Sequence, residues 1–112
     1  MSRYLILFNS PRSAKEIQAQ ASPEQVKASM DAWIAWKNEA EKTVKFEFGL
    51  PLQTIAKITP SEVKESENLA GGYAFIEGEE VEVKKLLQTH PQLRGIGTYI
   101  DLLEILPLTT TK

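Results

Sequence analysis

Residues Arg3–Phe8 read "RYLILF", an arginine followed by unbroken apolar side chains. A strand with one wet face alternates apolar and polar residues, whereas continuous apolarity calls for cover on both faces. The stretch "GTYIDLLEILPL", Gly97 to Leu108, has the same character near the other end of the chain. Two such strands demand a sheet with helices on one side and a second cover on the other.

The segments between them supply the helices. "NSPRSAKEIQAQA" is polar and carries a proline, so it reads as a loop or a loosely helical linker. In "SPEQ", Ser22 can cap a helix, Pro23 suits its first position and Gln25 completes a capping box. Val26, Met30, Trp33, Ile34 and Lys37 follow at helical spacing, with Ala40 and Val44 continuing the stripe. The spacing predicts a helix over Pro23–Glu41. The Lys37 stem can lie along apolar surface. Trp36 stands about 60° from Trp33 around the axis, so the two indoles meet different neighbours.

Gly49 and Pro51 mark a turn, and the alternation that follows predicts a strand at Gln53–Thr59. "PSEVKESEN" is a hairpin loop or weak strand edge, and "LAGGYAFIEG" is a third strand. Gly71 and Gly72 within it suggest a bulge or a close backbone approach. Glu79–Thr89 reads as a second helix, with Val83, Leu86, Leu87 and His90 at i, i+3, i+4 and i+7. Glu79, Glu80 and Glu82 in its first turn complement the helix dipole and do not suggest a metal site. Pro107 ends the last strand, and "TTTK" is a frayed tail.

The order strand, helix, strand, strand, helix, strand is the split βαβ pattern. It predicts an α+β chain, a ferredoxin-like βαββαβ sandwich forming one domain over residues 1–112. Both helices then cover one sheet face. The economical cover for the other apolar face is a second copy, packed sheet to sheet in an isologous homodimer.

Composition narrows the function. The chain has 112 residues, 42% of them hydrophobic, enough for one domain with its own core. Thirteen basic and 15 acidic residues give a net charge of −2 with no basic stripe, which disfavours nucleic acid as a partner. There is no cysteine, so disulfides and thiolate metal sites are excluded and a reducing cytoplasm suits the chain. One histidine and scattered carboxylates give no metal-ligand set. The Gly71–Gly72 pair lacks a phosphate-loop context, so no nucleotide or other cofactor is expected. No apolar run approaches the ~20 residues that span a bilayer, and Tyr4–Phe8 is too short for a signal-peptide core.

"SPEQVKASMDAWIAW", "GLPLQ", "GGYAFIE", "HPQL" and "EILPL" occur in an order and spacing that resemble the YCII-related proteins, including the DGPF-domain group, over nearly the whole chain. The resemblance implies a dimeric α+β barrel in which two ferredoxin-like sheets face each other. The Asp-Gly-Pro-Phe stretch of one branch would fall near Pro60-Ser61-Glu62-Val63 and is absent, so its role does not carry over. Some relatives are thought to pair a histidine with an aspartate; others look like small lyase- or dehalogenase-type enzymes.

Candidate chemistry centres on His90, the single histidine, placed directly before Pro91. An imidazole can act as general acid or base near neutral pH, or can simply close a helix end. A catalytic histidine needs an orienting partner. The only aspartates are Asp31, on the first helix, and Asp101, in the fourth strand. Trp33, Trp36 and Tyr73 could line a pocket or form core, Trp36 being the better pocket candidate. Arg12 and Arg94, in loops, could hold a ligand carboxylate or lie in solvent. Three readings stay open: a homodimer binding a small organic ligand between helices and sheet, a lyase- or isomerase-type enzyme using His90, and a non-catalytic dimerisation or regulatory module.

Overall fold

The computed structural model describes residues 2–11, 14–65 and 70–108. It shows an α+β fold built on an antiparallel four-stranded sheet. The elements are β1 (Ser2–Asn9), α1 (Ala14–Gln20), α2 (Pro23–Ala40), β2 (Lys45–Pro51), β3 (Lys57–Ile58), β4 (Val63–Lys64), β5 (Ala70–Gly78), α3 (Glu80–Leu87), a 3₁₀ turn (Pro91–Arg94) and β6 (Tyr99–Glu104). The strand order is β2-β5-β1-β6, and β3 and β4 form a separate small ladder.

Period-two alternation divides the sheet into two faces. Tyr4, Ile6 and Phe8 of β1, Ala74 and Ile76 of β5, and Phe46 of β2 are buried on one face. Trp36 and Ala40 of α2 and Val83 and Leu87 of α3 join them in a single core, with Trp33, Leu86, Ile100 and Leu102 packed against it. The opposite face carries Arg3, Leu5 and Leu7, then Tyr73, Phe75 and Glu77, then Asp101 and Leu103, because these alternate with the core residues in the strand register. Leu5, Leu7, Tyr73 and Phe75 stay half-buried there, and Leu103 is 42% exposed.

Local chemistry sets the boundaries. The Ser22 hydroxyl accepts the Gln25 N–H while the Gln25 side chain accepts the Ser22 N–H, so the expected capping box is formed. The β1–β5 register skips Gly71 between Phe8–Gly72 and Asn9–Ala70, giving the irregularity that the glycine pair suggested. A second irregularity sits opposite Tyr73, at Gly49–Leu50. A side chain on Gly49 would run into the Tyr73 ring and carbonyl, so only glycine lets that ring cross β2. Gly97 alone among the described residues has a positive φ, 76°.

Four expectations are corrected. The second strand is Lys45–Pro51 and not Gln53–Thr59: Phe46 alternates with exposed Lys45 and Glu47, whereas within 53–59 only Lys57–Ile58 is extended in a ladder. The stripe along α2 is narrower and rotated. Val26, Met30 and Ile34 are exposed, and the buried residues are Trp36 and Ala40. Each residue turns about 100°, so Ile34 faces well away from Trp36 and cannot share its contact with the sheet. Val44 lies beyond the helix, buried, with its N–H bonded to the Ala40 carbonyl. The linker before Ser22 contains the regular helix α1, and α3 is shorter than its pattern, ending at Leu87. Arg12, the first residue of "LAGGYAFIEG" and the "TTTK" tail lie outside the described residues.

Candidate functional site

His90 sits at the hand-off from α3 to the 3₁₀ turn. Its N–H bonds the Leu87 carbonyl, and its own backbone is extended, as the residue before a proline prefers. Its Nδ1 accepts the Gln92 backbone N–H at 3.0 Å, so the histidine caps the turn that Pro91 begins. The side chain is 2% exposed. Three rings enclose it: Phe8 at 4.9 Å, Trp33 at 4.5 Å edge-on and Trp36 at 4.5 Å.

The indoles are held from two sides. Trp36 Nε1 donates to the Leu86 carbonyl at 3.2 Å and to Thr89 Oγ1 at 3.0 Å. It thereby ties α2 to the last turn of α3 and packs on Phe46. Trp33 is half-buried between Phe8 and the outer ring of Phe48. Sequence reasoning favoured Trp36 as the more pocket-like indole; it is the more deeply buried one.

The electrostatics follow from enclosure. Because Nδ1 is an acceptor, the neutral ring carries its proton on Nε2. That Nε2–H is buried and has no hydrogen-bond partner among the described residues. Removal from water lowers the imidazole pKa from 6.5 to about 4, so His90 is uncharged at neutral pH.

Neither expected histidine–aspartate pair is formed. Asp31 is exposed on α2 and takes Lys27 Nζ at 2.9 Å in an i,i+4 pair. Asp101 stands opposite Leu7 on the far face of the sheet, while His90 packs on Phe8 on the helix side. Asp101 accepts the Asn9 side-chain amide at 3.1 Å instead. Tyr73 is also on the far face, against Phe75, so it does not join Trp33 and Trp36. Arg94 is exposed at the end of the 3₁₀ turn.

Two features escaped sequence reasoning. Phe8, Phe46 and Phe48 complete the aromatic cluster, and the alternation of "KFEF" was their signal. A shallow apolar groove runs along exposed α2, lined by Ala21, Pro23, Val26, Met30 and Ile34. Among the described residues no group of three or more His, Cys, Asp or Glu could hold a metal ion, and no helix is long and apolar enough to cross a membrane.

No family model matches the chain, and no curated protein or solved structure matches it at a significant level.

Proposed function

We propose that this chain is a self-associating module of the YCII-related, dimeric α+β barrel type, in which two copies close sheet to sheet. The observation that carries the reading is the far face of the sheet. It presents Leu5, Leu7, Tyr73, Phe75 and Leu103 together, while α2 and α3 lie on the other face. Apolar patches of that extent on a monomer mark interaction sites. The strand order β2-β5-β1-β6, with both helices on one face, supports a ferredoxin-like subunit. The self-complementary partner for such a face is a second copy.

The burial and neutrality of His90 argue for a structural role and against acid–base catalysis at that residue. A small-ligand reading keeps one specific support. A buried donor without a partner is rare in folded proteins, and among the described residues Nε2–H is such a donor. A small molecule that brought a hydrogen-bond acceptor to this nitrogen would satisfy it.

Leu7→Glu tests the association. It places a charge in the middle of the far face and leaves the core residues untouched. Gel filtration is expected to show a dimer for the parent and a folded monomer for the variant. Equal elution of the two proteins contradicts the proposal.

A further inference from the structure

We propose that, in the closed pair, Asp101 of each copy meets Arg3 of the other about a two-fold axis passing over Leu5. The inference rests on the self-association reading above and specifies its contacts. The register lays out the charges of the far face. Arg3, Glu77 and Lys45 stand side by side across β1, β5 and β2, and Glu47 stands beside Phe75 in the next row. That end is balanced within the subunit, with Arg3 Nη2 3.4 Å from Glu47.

Asp101 is placed differently. It stands on the edge strand β6, opposite Leu7 and between Tyr99 and Leu103 on its own face. It bonds the neutral Asn9 amide and makes no ion pair among the described residues. Covering this face strips water from the carboxylate, and an unpaired carboxylate in an apolar interface opposes association strongly. Among the described residues no cation of the same subunit meets it, so the second copy is the source of a partner of opposite sign.

Among the described residues the far face offers two cations, Arg3 and Lys45. Symmetry requires that whichever meets Asp101 does so twice. Arg3 lies four residues before Leu7 on β1, and Leu7 is the register partner of Asp101. Four residues of strand are about 13 Å and one strand spacing about 5 Å, so exchanging the two positions about an in-plane axis crosses the strands at about 40°. That is close to the aligned packing of stacked sheets, at about 30°. The axis then falls on Leu5 and Leu103, the apolar centre of the face. Exchanging Asp101 with Lys45, three strands away, would demand a nearly orthogonal crossing. Arg3 is also pre-positioned, its guanidinium 4.5 Å over the Phe75 ring, and its five N–H donors can meet a second carboxylate while one stays on Glu47.

Sedimentation equilibrium of four proteins tests the pairing: the parent, Arg3→Asp, Asp101→Arg and the double reversal. Both positions are solvent-exposed in the single subunit, so circular dichroism should show all four folded. Each single reversal is expected to weaken association by about tenfold or more, and the double reversal to restore it to within about threefold of the parent. A dimeric parent whose double variant is no better than the two losses combined overturns the pairing and leaves the self-association reading standing. Rescue of Asp101→Arg by Lys45→Asp in place of Arg3→Asp also overturns it. A parent that stays monomeric overturns both.

Discussion

His90 and Gln92 are joined through a ring nitrogen: Nδ1 accepts the Gln92 backbone N–H at 3.0 Å. This bond fixes the neutral tautomer and turns the other nitrogen into the aromatic box. The residue works as a cap on one side and as core on the other.

The first prediction concerns pH. The folded-state pKa of about 4 lies below the ordinary 6.5, so the unfolded chain binds the proton more readily. Stability from this group is therefore complete above about pH 6.5 and is lost as pH falls towards 4, by about 3 kcal/mol in all. Urea unfolding of the parent and of His90→Asn, at neutral pH and near pH 4, isolates the effect from that of the carboxylates. The parent should lose more stability than the variant on acidification. An equal loss in both proteins would show that His90 titrates normally.

The two tryptophans should differ in cost. Trp36→Ala removes a buried ring and both Nε1 bonds, and is expected to cost about 3–5 kcal/mol. Trp33→Ala removes a half-buried ring that makes no polar bond among the described residues, and should cost clearly less. Thermal melts of the two variants decide it, and a Trp33 loss equal to that of Trp36 goes against the packing described.

Gly49→Ala tests the crossing of Tyr73 over β2. The added methyl meets the ring and the backbone carbonyl, so a loss of about 1–3 kcal/mol is expected. Tyr73→Ala in the same background should recover only part of it, since the carbonyl contact remains. Neutral behaviour of Gly49→Ala in chemical denaturation would mean that the strand edge yields freely.

Ser22→Ala removes one half of the capping box and should cost about 1 kcal/mol. Urea denaturation reads this directly, and a cost near zero would place the start of α2 outside the cooperative unit.

Much of the fold was legible where a signal was local. Ser22, Pro23 and Gln25 announce the start of α2 because capping is settled within four residues. The two-sided apolarity of "RYLILF" led to a sheet with one face left for another partner, and β1 does occupy the interior of that sheet. The second strand was misplaced because "KFEF" is only four residues long and follows the helix closely, so its alternation blends into the helical stripe. Val26, Met30 and Ile34 misled for a different reason. Their spacing is helical, but spacing does not say how much of an 18-residue helix the sheet can cover. His90 was the hardest case. Its type and its place before Pro91 were plain, yet whether it faces water, a cavity or three aromatic rings depends on Phe8, Trp33 and Trp36 arriving from two other elements. The separation of His90 from Asp101 is likewise a property of sheet faces, set by which residue of β6 pairs with Leu7.

The most direct test of the account is sedimentation equilibrium of the unmodified chain at micromolar concentration and neutral pH. Closure of the far face predicts a species of twice the 12.6 kDa chain mass. A single species at the chain mass across the whole concentration range would contradict it.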